Sequence, residues 1–407
     1  MDAAPALACM HHPACPGCPL IPLSYSEQLA RKHADLAHAL AGRVPAERIA
    51  ATVPSPRLAG YRNQSRLVFA RGRTGRIELG LYASGTHRVV PIPRCPIQPE
   101  GMNAIARTTG RLAREMRLLV YDERTRRGHL RYLVLRADHT RRRFLAGIIA
   151  AEGADDPRLA ALAGRLRAQH PELAGVTLIE NRTHGNVILA GEERWTAGDA
   201  RLLDRIGEVD LQVSLGSFLQ VNHVVAGLLA ARIADWAAER IAPEDRAQCL
   251  VLDLYAGVGL IAMHLARRGH RVLAVERVAA AVADAETSAA RAEFAPRLRF
   301  ITANTERFLA DPRAHAPEMA AAPVALAVVN PPRAGCSPQV LAALATLAPP
   351  AIAYVSCNPA ALARDLDALS PGFEVLAVTP FDMLPLTPHI ESLALLIRRG
   401  SEPAALA

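Results

Sequence analysis

From residue 249 onwards, short apolar segments alternate with amphipathic segments, and this alternation limits the possible folds more than any other feature. Strand-like runs at Cys249–Leu254, Arg271–Glu276 and Leu298–Thr302 are separated by helix-like runs. Strands joined by helices in this way run parallel in one sheet, with helices on both faces. We therefore predict a doubly wound, mostly parallel α/β sheet in the C-terminal half. Further strands are predicted at Val324–Val329, Ala351–Ser356, Phe373–Pro380 and Leu393–Ile397.

The N-terminal half has a different pattern. Between Arg57 and Val90, short alternating stretches are punctuated by glycine, which is typical of strands and hairpins. This half is predicted to be α+β, and the chain to divide into segments 1–100, 101–206 and 207–407. Other predicted strands are 130–136, 143–149, 176–180 and 185–189, and the predicted helices are 27–40, 102–118, 224–240, 259–268 and 279–292.

Positive charge is concentrated in one segment. The chain of 407 residues has a net charge of +8, but residues 57–150 contain 20 arginines and 6 acidic residues, so the remainder is mildly acidic. A basic segment on such a protein indicates a polyanionic partner, most often nucleic acid. Apolar residues make up 51% of the chain, which favours a folded protein. No apolar run is long enough to span a membrane and no secretory signal is visible, so a cytoplasmic protein is expected.

A nucleotide-type cofactor site is predicted after the first strand of the C-terminal sheet. Gly257 and Gly259 follow that strand and open a helix, and Glu276 ends the next strand, where a carboxylate can accept hydrogen bonds from a ribose. Only two glycines are present, so the motif departs from the dinucleotide fingerprint. The combination indicates an S-adenosylmethionine site, with a dehydrogenase as the alternative.

Three polar segments follow strands of the same sheet: Asn330–Gly335, Ser356–Pro359 and Thr387–Glu391. The carboxyl ends of parallel strands are where such folds bind ligands. Cys357 offers a nucleophilic thiol and Glu391 offers a general base. Carbon 5 of uracil takes a methyl group only after a thiolate has added to carbon 6, and it must then lose a proton. One cysteine and one base therefore suit methylation of a pyrimidine at carbon 5.

The chain resembles the bacterial RNA uracil-C5 methyltransferases, the TrmA, RlmC and RlmD group, over nearly its whole length. The resemblance implies a class I methyltransferase domain with Cys357 as nucleophile and Glu391 as base. It also implies that S-adenosylmethionine contacts Gln220, Tyr255, Glu276 and Asn330. Gly257, from the glycine motif, is expected to belong to the same cofactor site. Asn330 stands where many members have Asp, and Tyr255 and Leu384 stand where Phe is common. The motifs that carry the resemblance are SFLQVN (217–222), DLYAGVG (253–259), NPPRAG (330–335), SCNP (356–359) and DMLPLTPHIESLALL (382–396).

Four cysteines in the N-terminal half form a possible metal site. Cys9, Cys15 and Cys18 are close in sequence, and Cys95 follows much later. Four thiolates suit either zinc or a [4Fe–4S] cluster. The RlmC and RlmD branches carry a [4Fe–4S] cluster on this pattern, so the resemblance favours iron–sulfur and implies that the N-terminal α+β RNA-binding region carries it. Cys249 and Cys336 are expected to pack in the core.

The RNA partner is expected to bind the basic half, because arginine can hold phosphates and stack on bases. The segments singled out there are Tyr61-Arg62-Asn63, His87-Arg88 and Arg126-Arg127-Gly128-His129. The target uracil must leave its stack to reach the thiol. Because the cluster cysteines begin at Cys9, the layout resembles the RlmC branch, which has no N-terminal TRAM barrel. The expected substrate is therefore 23S rRNA, with tRNA as the alternative, and a monomer without membrane contact is expected.

Two other functions remain open from the residues alone. Asn-Pro-Pro followed by an aromatic residue serves methylation of adenine amino groups, although Arg333 occupies the aromatic position here. The chain could also be an RNA-binding iron–sulfur protein without catalysis. The joint presence of Cys357, Glu391 and Gln220 argues against this second alternative.

Overall fold

The computed structural model describes residues 7–72, 75–183, 187–189 and 191–400. The helices are α1 (Tyr25–Ala39), α2 (Glu100–Glu115), α3 (Pro157–Gln169), α4 (His223–Arg240), α5 (Leu260–Arg267), α6 (Ala279–Arg291), α7 (Thr305–Ala310), α8 (Pro312–His315), α9 (Pro338–Leu347) and α10 (Pro359–Leu369). The strands are β1 (Gln64–Arg71), β2 (Ile77–Tyr82), β3 (Val89–Pro91), β4 (Leu130–Ala137), β5 (Phe144–Ala150), β6 (Leu173–Glu180), β7 (Glu192–Gly198), β8 (Arg201–Ile206), β9 (Val209–Ser214), β10 (Leu250–Leu254), β11 (Val272–Glu276), β12 (Leu298–Thr302), β13 (Val324–Val329), β14 (Ala351–Ser356), β15 (Phe373–Phe381) and β16 (Glu391–Arg398).

The chain forms two compact units. The first consists of residues 1–24, 57–204 and 213–216, and the second of residues 25–56, 205–212 and 217–407. The sequence analysis expects three segments with boundaries at 100/101 and 206/207. In the structure, one sheet takes strands from both of the first two segments, because β1 pairs with β4.

The first unit is built on a seven-stranded sheet in the order β3-β2-β1-β4-β5-β6-β7. Its pairs are antiparallel except β5–β6, which run parallel because α3 connects them. The strands β4, β5 and β6 are buried along their whole length, which fits their nearly unbroken apolar sequences. Their side chains pack with those of α2 and α3 in one apolar core.

The second unit contains a seven-stranded sheet in the order β12-β11-β10-β13-β14-β16-β15. The first five strands are parallel, and β16 runs antiparallel between β14 and β15. The chain starts in the middle at β10, builds outwards to β12 and then returns to β13. The strand order therefore reverses between β10 and β13, the position at which open α/β sheets bind ligands. This doubly wound sheet was predicted from the alternating segments, and the structure confirms it.

The predicted elements differ from the structure at several places. The segment predicted as a strand at 185–189 lies partly outside the described residues, and 187–189 form coil and turn. The strand that pairs with β6 is instead β7, at Glu192–Gly198. The helix α3 was not predicted, since its alanine-rich sequence has a weak apolar periodicity. In the described part of the chain, no helix is long and apolar enough to cross a membrane.

Candidate active site at the carboxyl edge of the second sheet

The three polar segments singled out in the sequence lie at one edge of the second unit's sheet. Asn330–Gly335 follow β13, Cys357 follows β14, and the loop 382–390 joins β15 to β16. Since β15 is parallel to β14, all three segments leave the sheet at the same edge. In the ladder between β14 and β16, Ser356 is paired with Ser392. The next position of this antiparallel register sets Cys357 opposite Glu391.

The thiol and the carboxyl influence each other electrostatically. Burial raises the pKa of the half-buried Cys357 thiol, and the nearby Glu391 carboxylate raises it further. The charge and hydrogen bond of the Arg333 guanidinium oppose this by lowering the pKa of the same thiol. Glu391 is only 5% exposed, and burial raises its pKa to about 8. Near neutral pH the carboxyl therefore exchanges a proton readily, which is the condition for a general base or acid.

Arg333 is held in place beside the thiol by two neighbours. Its Nη2 lies 2.9 Å from His389 Nδ1, so the guanidinium donates to the imidazole. The backbone oxygen of Arg333 accepts a hydrogen bond of 2.9 Å from Asn358 Nδ2. The Asn358 side-chain oxygen also caps α10 by accepting from Ala360 N. The SCNP segment thus fixes both the strand end that carries the thiol and the loop that carries the arginine.

A buried polar cluster shapes the loop 330–335. Cys336 N donates to Asp365 Oδ2 at 2.8 Å, and the Tyr354 hydroxyl also donates to this carboxylate. Arg364 Nη2 donates to Ala334 O at 2.7 Å. Gly335 has a φ of 80°, and a Cβ there would lie 2.6 Å from Asp365 Oδ2. Only glycine therefore fits this turn without a shift of the cluster.

The helix α1 holds the loop that leads to Glu391. Lys32 Nζ lies 2.5 Å from Asp382 Oδ1 with both side chains fully buried, and it donates to Leu384 O at 3.0 Å. Gln28 Oε1 accepts a hydrogen bond from Leu386 N, and the Tyr25 hydroxyl donates to Asp382 Oδ2. Sequence reasoning missed this clamp. A signal was available, because Lys32 is the single lysine among 47 basic Lys and Arg residues.

The glycine loop after β10 has the features expected of a cofactor site. The Glu276 carboxylate accepts hydrogen bonds from Gly257 N at 2.9 Å and from Val278 N at 2.8 Å. Gly257 and Gly259 both have positive φ, and a Cβ on Gly259 would lie 2.7 Å from the Phe300 ring. Asp253 Oδ1 is buried and has no hydrogen-bond partner in the described residues. Burial also raises the pKa of Asp253 to about 7. Asp253 thus keeps one unused hydrogen-bond acceptor near the end of β10, before this loop.

The other residues expected to contact the cofactor surround this loop. Tyr255 follows β10 directly with a φ of 63°, and Asn330 N donates to Leu254 O at 3.3 Å from the neighbouring strand end. The segment containing Gln220 also approaches the loop. Phe218 O lies 3.4 Å from the position that a Cβ on Gly257 would take. Tyr255 and Asn330 thus lie at the reversal point of the sheet, and the segment 217–222 lies beside the glycine loop.

A cleft of about 650 Å³ next to Glu276 was not predicted from the sequence. It lies beyond the ends of β11 and β12, and Asn304 lines it while accepting a hydrogen bond from Glu306 N to cap α7. No sequence motif marks these residues, because their shared feature is only that they follow neighbouring strands. The lining residues are Arg277, Val278, Thr302, Ala303, Asn304, Arg307 and His315.

The four cysteines of the predicted cluster all lie half-buried in the first unit. Burial, together with the charges of Cys95, Cys15 and Cys9, raises the pKa of Cys18 to about 12. Cys95 is influenced in the same way by Cys15 and Cys9, so the four thiols are neighbours in space. In the described ranges, however, no group of three or more His, Cys, Asp or Glu side chains is arranged to hold a metal ion.

The chain is similar to several known proteins. The profile of the family described as tRNA (uracil-5-)-methyltransferase matches residues 206–399. The chain is 32% identical over 395 residues to an uncharacterized RNA methyltransferase of Geobacter sulfurreducens, covering 96% of this chain and 77% of that one. It is 31% identical to a protein of the same description from Halalkalibacterium halodurans, covering 94% and 81%.

A solved structure is similar over both units. The chain superposes with a TM-score of 0.74 and 25% identity on the tRNA (uracil-54, C5)-methyltransferase of Pyrococcus abyssi in complex with S-adenosyl-L-homocysteine. The match covers 95% of this chain and 86% of that one.

The buried ion pair of α1 gives a first test. We expect Lys32→Met to lower the free energy of unfolding by about 3–5 kcal/mol, because Asp382 is then left as an uncompensated buried charge. The double variant Lys32→Met/Asp382→Leu should recover much of this loss. Chemical denaturation measures both, with Arg31→Met on the exposed face of the helix as the matched control. Equal stability of Lys32→Met and the parent would contradict the clamp.

The buried carboxyl gives a second test. Its folded-state pKa of about 8 exceeds its ordinary 4.5, so the stability due to the neutral form is complete below pH 4.5 and is lost as the pH rises through 8. Glu391→Gln should therefore be more stable than the parent by a margin that grows over this range to about 3–5 kcal/mol. Thermal unfolding from pH 5 to 9 measures the margin. The exposed Glu286→Gln should show none, and a constant margin for Glu391→Gln would refute the burial argument.

Proposed function

Because this chain belongs to the family of S-adenosylmethionine-dependent RNA (uracil-5-)-methyltransferases, we propose that it methylates carbon 5 of a uridine in RNA with Cys357 as nucleophile and Glu391 as base. The observation that carries this assignment is the register that sets Cys357 opposite Glu391. The match to a uracil-5-methyltransferase family also favours this reaction over methylation of adenine amino groups.

The reaction begins with the thiol. The Cys357 thiolate adds to carbon 6 of the uracil, a C–S bond forms, and the ring electrons move to carbon 5 and the carbon 4 oxygen. Arg333 supports this step because its charge and hydrogen bond lower the pKa of the thiol, whereas burial and Glu391 raise it. When Glu391 is protonated it no longer raises the pKa of the thiol. The two groups therefore favour thiolate formation together with a neutral carboxyl.

The later steps need the carboxylate. S-adenosylmethionine would supply the electrophilic methyl group: a bond forms between the methyl carbon and carbon 5, the S–CH3 bond breaks, and S-adenosylhomocysteine leaves. Carbon 5 then carries both a methyl group and its original proton. Glu391 removes that proton, the electron pair re-forms the carbon 5–carbon 6 double bond, and the Cys357 thiolate leaves. Burial holds the pKa of Glu391 near 8, so the carboxylate is a stronger base than an exposed one.

For the methyl donor, the residues present fit the group. The glycine at 257 lets a ligand come close to the backbone, and Glu276 ends the neighbouring strand. The buried Asp253 Oδ1 has no hydrogen-bond partner in the described residues. We assign binding of the methyl donor to Gln220, Tyr255, Gly257, Glu276 and Asn330. We assign its adenine ring to the cleft beside Asn304.

For the RNA, we favour 23S rRNA, because the resemblance to the RlmC branch extends to the pattern of cluster cysteines. tRNA is the second candidate, since the solved relative from Pyrococcus abyssi is a tRNA (uracil-54, C5)-methyltransferase. The test is nucleoside mass spectrometry of unmodified 23S rRNA and tRNA, each incubated with the purified protein. Formation of 5-methyluridine in 23S rRNA supports the first candidate, and formation in tRNA alone replaces it by the second.

Variants of the catalytic pair test the mechanism. We expect Cys357→Ala to form no 5-methyluridine and no covalent complex with RNA. In Glu391→Gln, the Cys357 thiolate should still add to carbon 6 and carbon 5 should still be methylated, but the proton on carbon 5 should not be removed. A covalent protein–RNA complex should therefore accumulate and be visible on a denaturing gel. Glu286→Gln, on the exposed face of α6, is the control and should turn over normally. If Cys357→Ala retained full methylation, the proposed nucleophile would be wrong.

For the four cysteines, we propose a [4Fe–4S] cluster bound by Cys9, Cys15, Cys18 and Cys95. Four sulfurs on one zinc ion lie about 4 Å apart, because each Zn–S bond is about 2.3 Å. A cubane cluster is larger and separates its cysteine sulfurs more widely. Thiols that are neighbours without forming a single-ion site are therefore compatible with a cluster.

The metal content distinguishes the two centres. Protein purified without oxygen should contain about four iron atoms and four sulfides per chain, with visible absorption of a cluster. Cys18→Ser should lose both, whereas Cys249→Ser, at a buried cysteine of the second unit, should keep them. One zinc per chain and no sulfide would overturn the proposal.

A further inference from the structure

A second cleft, of about 830 Å³, lies on the first unit, and none of the four cysteines lines it. It runs between β1, the ends of β2 and β3, and the segment 119–131. Its lining combines arginines with aromatic and apolar side chains, and we call it the arginine–tyrosine cleft. The residues that characterise it are Arg71, Arg124, Arg127, Tyr82, Tyr121 and Leu119.

A tight turn presents the arginines of this cleft. Asp122 N donates to Arg127 O at 2.9 Å, and Asp122 Oδ1 accepts from the backbone of Arg124 and Thr125. Gly128 closes the turn with a φ of 115°, where a Cβ would lie 2.3 Å from Val120 O. The backbone of the turn is thus held by its own hydrogen bonds. The arginine side chains point outwards as exposed groups.

Three arginines of the cleft have no ion-pair partner within 4 Å in the described part of the chain. Arg71, Arg124 and Arg127 form no ion pair among the described residues. The acidic lining residues are engaged elsewhere: Asp122 by the turn, and Glu123 by the Tyr82 hydroxyl at 3.2 Å and His87 Nδ1 at 3.0 Å. Many other arginines of the same unit do pair with carboxylates, among them Arg107, Arg111, Arg143, Arg158, Arg165 and Arg194.

The floor of the cleft is aromatic and apolar. The Arg131 guanidinium lies 5.6 Å from the Tyr121 ring centroid and 5.4 Å from that of Tyr132, which fixes these rings by cation–π contacts. The Tyr82 and His87 rings meet edge to face at 5.6 Å. Leu119 is 47% exposed beside them. Unpaired arginines next to ordered rings and an exposed apolar side chain fit a strand whose phosphates and unstacked bases are both accessible.

We propose that the arginine–tyrosine cleft binds an unpaired stretch of the substrate RNA, with phosphates on Arg71 and Arg127 and a base on the Tyr121–Leu119 floor. Its role as a substrate contact rests on the proposed function. A duplex keeps its bases stacked and cannot use the floor, so the cleft selects single-stranded RNA. The cleft belongs to the first unit, whereas Cys357 and Glu391 belong to the second.

The test compares two double variants of the full-length protein. Arg71→Ala/Arg127→Ala removes two charges of the cleft. Arg114→Ala/Arg167→Ala removes two exposed arginines of α2 and α3 in the same unit. The probes are a fluorescent ten-residue oligouridylate and an RNA duplex of ten base pairs, titrated without methyl donor at several salt concentrations. The variants are compared with Arg71→Lys/Arg127→Lys, which keeps the charge, and thermal unfolding checks that all are folded.

We expect the cleft variant to bind the oligouridylate about 10- to 30-fold more weakly at 0.1 M salt. The slope of the logarithm of its binding constant against the logarithm of the salt concentration should become shallower by about one unit or more. The lysine variant should retain most of the affinity, and the α2/α3 variant should match the parent. Equal losses in both alanine variants, no loss in the cleft variant, or a larger loss for the duplex would each overturn the proposal.

The same preparations are assayed for 5-methyluridine formation. If the parent protein makes no 5-methyluridine but the cleft variant still loses single-strand affinity, the proposed function fails and the cleft stands. If the parent methylates uridine and the cleft variant binds normally, the proposed function stands and the proposed role of the cleft fails.

Discussion

The antiparallel pairing of β14 with β16 is the constraint on which the catalytic assignment depends. A parallel strand at the β16 position would carry Glu391 to the opposite edge of the sheet. The reversal instead places the beginning of β16 beside the end of β14, so that Glu391 faces Cys357. The parallel strands β10 and β13 bring the glycine loop and Asn330 to the same edge. One sheet edge therefore gathers the proposed nucleophile, the proposed base and the proposed cofactor site from segments that are distant in sequence.

This arrangement requires support, because its central carboxyl is buried without a charged partner that would lower its pKa. Burial of Glu391 favours its neutral form and opposes folding at alkaline pH. Two groups of contacts hold the loops in spite of this. Lys32 on α1 anchors the loop before Glu391, and Asp365 on α10 anchors the loop that carries Arg333. Both anchoring side chains are buried, so they hold the two loops from the protein interior, while Arg333 and His389 remain exposed.

The sequence was sufficient for the sheet of the second unit, because its strands are apolar runs separated by helices. It was also sufficient for the site motifs, since each follows a strand. Alternation alone could not show that β16 is antiparallel, because that depends on the short loop 382–390. The Lys32 clamp was also missed, because a single helical lysine is usually an exposed residue. The partner of β6 was misplaced because an apolar stretch near 187 resembles a strand more than the polar β7 does.

The central claim is that Cys357 and Glu391 act together to replace the proton on carbon 5 of uracil by a methyl group. The most direct measurement uses RNA whose uridines carry tritium at carbon 5, incubated with the protein and S-adenosylmethionine. Tritium released to water is counted against methyl groups transferred. The account predicts one tritium released for each methyl group at the target uridine. Methyl transfer without tritium release would contradict it, because the methyl group would then reside on another atom.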